Sequence, residues 1–289
     1  MNKHTLQHHS FADDTQLRNS DIPNNLSSII KQTSDCYIDI ENWMTVNKLQ
    51  LNGEKTEAIL TGTKHNLSSI SVQSIQLGAH TVHLSTSVKN LGVVLDQNLT
   101  FQKFISQTAQ SCYFQLRQIS SVRKYLSVDA TIKLVASLIL SRIDYCNSLL
   151  SGLPSSSINP LQRIQNSAAH LIFLKKKSDH ITPLLHSLHW LPVSKRIAYK
   201  NCTLCYKCIN NSAPVYLSDS VSLYTPSRSL RSSADTLKLR IPRFKYNTVG
   251  ARCFSVSGPS SWNNLPLSIR QSSTLSSFKS NLKTHLFRQ

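Results

Sequence analysis

The chain has 289 residues, room for about two domains and a sizeable core. Thirty-two Lys+Arg against 14 Asp+Glu give a net charge of +18, which directs attention to anionic partners. Only 7 glycines are present, so collagen-like and glycine-linker readings are excluded.

The charge is not shared evenly. Residues 1–144 hold 13 Lys+Arg and 11 Asp+Glu, whereas residues 145–289 hold 19 and 3. A field of one sign over half a chain favours a phosphate backbone or an anionic surface, through long-range attraction and counterion release. The start of the chain has no apolar core of signal-peptide type, and the longest apolar stretch, Leu134 to Leu140, is interrupted by Ser137. An intracellular protein that does not span a membrane is expected, with its seven cysteines reduced.

Along the chain, an acidic pair at Asp13 and Asp14 is followed by apolar residues at three- and four-residue intervals, from Leu26 to Leu49. They predict one amphipathic helix within residues 21–50, stopping near Asn52-Gly53. Lys55 to Thr61 alternates as a strand, and further strand signals lie at 70–77, 80–84 and 88–95, with a turn at Gly78-Ala79. From residue 100 the period becomes helical, with Phe101, Phe104, Ile105, Thr108, Cys112, Leu116 and Ile119 on one face. A second helix is expected from Ser127, a good N-cap, to about Leu150. A third follows Gly152-Leu-Pro154, with Leu161, Ile164, Ala168, Leu171 and Ile172 on its apolar face. Helical patterns return at 181–188 and 193–210. Beyond Pro214 the chain turns rich in Ser, Pro and Arg, with a strand at 236–241, a helix around 248–256 and a last helix at 274–287.

The sharpest chemical feature is Ser10-Phe-Ala-Asp-Asp-Thr-Gln-Leu17. Adjacent side chains on an extended chain point to opposite faces, so two neighbouring carboxylates reach one ion only from a tight turn such as a hairpin tip. Carboxylates so presented hold Mg²⁺ in phosphoryl and nucleotidyl transfer. An Asp-Asp pair standing alone is more commonly a solvated turn.

Here it does not stand alone. Phe11-Ala-Asp-Asp14 followed by Thr-Gln-Leu resembles the catalytic hairpin of the reverse transcriptases of non-LTR retrotransposons. Trp43-Met-Thr-Val-Asn-Lys-Leu-Gln-Leu-Asn52-Gly-Glu-Lys55-Thr-Glu57 is similar to their palm helix and the strand after it, and Val88-Lys-Asn-Leu-Gly-Val-Val-Leu-Asp96 to their primer-grip hairpin. Ser141-Arg-Ile-Asp-Tyr-Cys-Asn147, Leu161-Gln-Arg-Ile-Gln-Asn166, His189-Trp-Leu-Pro-Val193 and Trp262-Asn-Asn-Leu-Pro266 continue the likeness, in family order and across essentially the whole chain.

The resemblance implies that Asp13 and Asp14 lie at a Mg²⁺ site and that Lys55 is the palm lysine assigned to protonating departing pyrophosphate, against a plain solvated lysine. It also implies that Leu91 and Gly92 belong to the primer grip, against a core leucine and a turn glycine. It further implies a third aspartate and a fingers region earlier in the chain, and only ten residues precede Phe11. Two-ion transfer needs ligands from separate elements that hold the ions roughly 3.5–4 Å apart. A fragment inactive by itself is therefore expected, its first sheet left with an open edge and an uncovered apolar face.

The other clusters read more plainly. Cys202, Cys205 and Cys208 have a zinc-like first spacing, but the surrounding helical period assigns them to a core face. His186 and His189 offer nitrogens without a visible pocket, while His8 and His9 fit the strand that feeds the hairpin. No Gly-x-Ser-x-Gly elbow and no phosphate-binding Gly-x-x-x-x-Gly-Lys loop is present. In the basic half, Lys175, Lys176, Lys177, Lys195, Arg196, Arg228, Arg231, Lys238, Arg240, Arg243 and Lys245 are interspersed with Trp190, Tyr199, Tyr206, Phe244 and Tyr246. That mixture suits RNA or a primer-template duplex through phosphate contacts and stacking, against a generally basic soluble face.

The expected fold is α+β: a partial polymerase palm at 1–98 with a small antiparallel sheet, a helical thumb-like region at 99–212, and a basic mixed region at 213–289. The expected function is a piece of an RNA-directed DNA polymerase. The alternative is a non-catalytic nucleic-acid-binding protein built from the thumb and the basic tail.

Overall fold

A computed structural model of the chain describes residues 4, 6–226, 237–244 and 248–289. They form helices and small antiparallel sheets, divided into two compact units, Met1–Thr100 and Phe101–Gln289.

In the first unit, β1 (Gln7–Phe11) and β2 (Asp14–Arg18) form a hairpin with Phe11 opposite Asp14. A 3₁₀ turn at Pro23–Asn25 leads into α1 (Leu26–Val46). This helix closes before the expected stop at Asn52-Gly53. Lys48 adopts φ 58°, and the Leu49 and Lys48 amides return to the carbonyls of Met44 and Thr45, a Schellman closure. The expected strand Lys55–Thr61 is not formed. Gly53–Lys55 is a 3₁₀ turn capped by the Asn52 side chain, and only Ala58 forms a bridge, parallel to Leu84.

After the short α2 (Lys64–Ser68), β3 (Ser74–Leu77) and β4 (His80–His83) make a second hairpin around Gly78-Ala79. Gly78 sits at φ 57°, where a side chain is strained, and a Cβ there would also require Glu41 Oε2, 2.8 Å away, to move. The segment 88–95, whose residues give a strand signal and whose resemblance implies a hairpin, folds back on itself as β5 (Ser87–Asn90) and β6 (Val93–Asp96). The centre of the unit is small: Tyr37 of α1 against Leu77 and Val82, flanked by Leu51, Ala58 and Ile75.

The second unit is helical. α3 (Gln102–Val122) buries Phe104, Ile105, Cys112, Leu116 and Ile119. Ser127 caps α4 (Val128–Val135) by accepting from the Ala130 amide. The expected helix continues through a π turn at Ala136–Leu140 and α5 (Ser141–Asp144) but stops short of Leu150, where Cys146 turns to φ 52° before a 3₁₀ turn at Asn147–Leu150. The Cys112 thiol donates to the Ile139 carbonyl inside the π turn.

α6 (Ser155–Phe173) packs on α3 and buries Leu161, Ile164, Ala168 and Ile172. The buried Arg123 guanidinium donates to the Leu171 and Ile172 carbonyls at the α6 C-terminus, where a cation is favoured. Gln165 donates to the Leu191 carbonyl, and Gln162 accepts from the Val193 amide. The Leu161–Asn166 segment thereby clamps the His189–Val193 corner between α7 (Ile181–Ser187) and α8 (Val193–Ile209).

α9 (Val215–Ser218) is one turn. In place of a helix at 248–256 there is a 3₁₀ turn at Gly250–Arg252, then α10 (Phe254–Asn263). α11 (Leu267–Arg270) and α12 (Leu275–Arg288), the latter held by a Thr274–Ser277 capping box, complete the chain. Elements on both sides of residue 212 share one core: Tyr206 of α8 stacks on Phe278 of α12 at 4.5 Å, and Trp262 of α10 packs beside that ring.

Candidate functional site

The hairpin β1–β2 turns at Ala12-Asp13. Ala12 takes φ 53°, a positive value that ordinarily calls for glycine. Alanine in the left-handed region is strained by about 1–2 kcal/mol. The turn holds Asp13 at the tip and Asp14 at the first ladder position, both exposed to solvent.

Strand alternation then places Asp14 and Gln16 on one face, with Phe11 and His9 as their cross-strand partners. From this face Gln16 Nε2 donates to Asn90 Oδ1 at 2.6 Å. Asn90 is the last residue of β5, and the next two residues are the turn Leu91-Gly92, at φ 44° and 82°, the signs of a type I′ turn. The hairpin that bears the carboxylates is thus tied to the tip of the 87–96 hairpin, across 74 positions of sequence. Leu91 is exposed at that tip and is not a core leucine.

Lys55 is exposed, and among the described residues it makes no ion pair with Asp13 or Asp14. His8 and His9 lie in β1, opposite Leu17 and Gln16. Among the described residues no group of three or more His, Cys, Asp or Glu side chains is arranged to hold a metal ion. Two carboxylates from neighbouring residues of one turn do not make up a two-ion centre, which takes ligands from separate elements.

The cysteine series on α8 is core. Cys202, Cys205 and Cys208 are buried, and loss of solvation pushes the Cys202 thiol up to about 12 and the other two in the same direction. Thiols held protonated in this way are poor nucleophiles, and among the described residues they belong to no group arranged to hold a metal ion. His186 packs edge-on against Phe287, and His189 closes α7 at φ 52°.

The basic residues divide by environment. Lys175, Lys176 and Lys177 are exposed in the turn after α6, where Asp179 accepts from the Lys176 amide. Lys195 donates to the Gln289 side chain. Arg196 is committed internally: its Nε donates to Asp144 Oδ1 at 2.7 Å and its Nη2 to Asp144 Oδ2, a bidentate pair that ties α8 to α5. Arg228, Arg231, Lys245 and Tyr246 lie outside the described residues, as does the start of the expected strand at 236–241.

Lys238, Arg240 and Arg243 line one open cleft of about 710 Å³ together with Tyr224, Leu239, Ile241, Pro242 and Asn263. Gln16, Asn90 and Tyr224 escape sequence reasoning because their roles depend on partners brought from afar. Among the described residues no helix is long and apolar enough to cross a membrane. Comparisons with family models, curated proteins and solved structures return no match.

Proposed function

We propose that residues 7–96 are part of the palm of an RNA-directed DNA polymerase of the non-LTR retrotransposon kind, with Asp13 and Asp14 as one corner of its ion site and Leu91-Gly92 as its primer-grip hairpin. The observation that supports this reading is the Gln16–Asn90 hydrogen bond. It joins two segments that resemble separate polymerase motifs, and joins them on the face that carries Asp14. Both tips also hold a non-glycine residue at positive φ, and backbone strain of this kind gathers at functional turns.

Mg²⁺, when present at such a centre, stabilises the charge on the reacting phosphate. The chain itself presents two exposed carboxylates beside a second, apolar hairpin tip, and supplies one part of the ligand set. The polypeptide alone is therefore inactive in primer extension, and the activity belongs to an assembly in which other palm elements complete the cage.

Primer extension by the chain fused behind the fingers and first palm strands of a non-LTR reverse transcriptase tests this. Extension is expected, with a loss of about a thousandfold or more on Asp13→Asn, since the substitution keeps the shape and removes the charge. Extension that survives Asp13→Asn, or extension by the unfused chain, contradicts the proposal.

A further inference from the structure

The cleft in the second unit has no part in the hairpin chemistry, and its construction is specific. Residues 237–241 run as an extended segment gripped from two sides. On one side Leu239 bridges Leu223, with the Tyr224 amide donating to the Lys238 carbonyl and the Arg240 amide to the Ser222 carbonyl, both at 2.8 Å. On the other side Asn263 acts as a substitute strand: its Oδ1 accepts from the Leu239 amide at 2.8 Å and its Nδ2 donates to the Leu239 carbonyl at 2.9 Å. Trp262 Nε1 adds a bond to the Leu237 carbonyl at 2.7 Å, from a ring that is itself 1% exposed.

This grip turns Leu239 into the core, at 2% exposure, and the period of two sends Arg240 the other way, into solvent. Arg243 is exposed on the same cleft, and among the described residues neither arginine meets a carboxylate. The surroundings reinforce the sign of charge: residues 236–289 contain nine Lys+Arg and no Asp or Glu. Tyr224, 53% exposed, stands on the same cleft with Ile241 and Pro242 as an apolar floor.

We propose that this cleft binds a single-stranded polynucleotide, with phosphates on Arg240 and Arg243 and a base stacked on Tyr224. Charge complementarity selects a polyanion. An exposed aromatic ring on the same cleft as two guanidinium groups suits unpaired bases better than a duplex, whose base faces are already covered. The Trp262-Asn263 pair is the support that holds the strand in register. The site stands independently of the hairpin reading, because it is read out by binding and not by extension.

The test uses the full chain and the fluorescence anisotropy of a labelled oligouridylate and a labelled oligothymidylate, titrated over a range of salt concentrations. The double variant R240A/R243A is expected to weaken binding about tenfold or more and to reduce the salt slope by about 1.4, since each single-strand phosphate contributes about 0.7. Tyr224→Ala is expected to weaken binding between about fivefold and a hundredfold with the salt slope unchanged, and Tyr224→Phe to restore it. The control R117A/K124A removes two exposed charges elsewhere in the same unit, at residues outside the basic set named from the sequence. A loss from this control as large as that from the arginine pair would show diffuse attraction and overturn the proposal. So would arginine variants that leave oligonucleotide binding intact while weakening only the capture of phosphatidylserine vesicles. Photocrosslinking of a thiouridine oligomer to the unaltered chain covers the case of variants that fail to fold. Crosslinks at Tyr224 or residues 237–244 support the site, and crosslinks confined to other segments refute it.

Discussion

The first hundred residues and the rest of the chain solve the problem of burial differently. In Met1–Thr100 the packed centre is Tyr37, Leu77 and Val82, while Phe11, Ile22, Trp43 and Val46 stand in solvent. In Phe101–Gln289 one cluster alone joins Leu191, Cys202, Cys205, Tyr206, Leu239, Trp262, Leu265, Ile269, Phe278, Leu282 and Leu286. Burial is the main favourable term in folding, so the second unit carries its own stability and the first has little to spare. The contrast also separates chemistry from support. The two carboxylates and both strained hairpin tips belong to the thinly packed unit, and the densely packed unit grips the basic strand of the cleft.

The sharpest way to break this comparison is to empty each centre in turn. Trp262→Ala removes the largest fully buried side chain and the bond to Leu237, a loss of about 3–5 kcal/mol to the second unit. Leu77→Ala removes about 2–4 kcal/mol from the first. The smaller loss is expected to do more harm, opening Met1–Thr100 while Phe101–Gln289 stays folded. Cysteine labelling reads the two separately: Cys36 reports the first unit, and Cys202, Cys205 and Cys208 the second. Opening of both units together after Leu77→Ala would contradict the division.

Alkaline pH bears on both units, since burial raises the Cys36 thiol of the first as well, but the second holds more such thiols. Burial holds the thiols of Cys112 and Cys202 at about 11 and about 12, above their ordinary value of 9.0, and raises Cys205 and Cys208 as well. Each group stays protonated in the fold where the unfolded chain would release its proton. The stability this contributes is complete below about pH 9 and is lost as the pH rises through the folded values. Denaturant unfolding followed at Trp262 is expected to move to lower denaturant between about pH 9 and pH 12. Cys205→Ala is expected to flatten that decline.

Helix ends and hairpin turns show what could be read from the residues and what could not. The Asp13-Asp14 turn, the β3–β4 hairpin at Gly78, the Ser127 cap and the last helix were legible, because each carries a local signal. The close of α1 was not, since the residue in the left-handed cap position is Lys48, whereas α7 and α8 end within one residue of the expected 188 and 210. In a chain with 7 glycines the usual stop signal is missing where the backbone needs it. The π turn inside the second predicted helix was hidden for another reason. The run Leu138-Ile-Leu140 stays apolar through the π turn, so periodicity does not register the extra residue. Arg196 reads as a free cation until Asp144, 52 positions earlier, is brought beside it.

Smaller effects sharpen the picture of the hairpin tips. Leu91 occupies a type I′ position that favours asparagine, so Leu91→Asn is expected to stabilise the first unit by about 1 kcal/mol. In the fused polymerase the same change is expected to lower extension. A destabilised first unit would show that the leucine is needed for packing and not for contact.

The smallest expected energy belongs to the most direct test. A double-mutant cycle with Gln16→Ala and Asn90→Ala, read by the rate at which Cys36 becomes open to labelling in the full chain, measures whether the carboxylate hairpin and the Leu91-Gly92 hairpin form one site. Docking through the 2.6 Å bond predicts a coupling of about 0.5–1.5 kcal/mol between the two substitutions. Strictly additive effects would mean that the two hairpins do not meet, and the polymerase reading would lose the observation on which it stands.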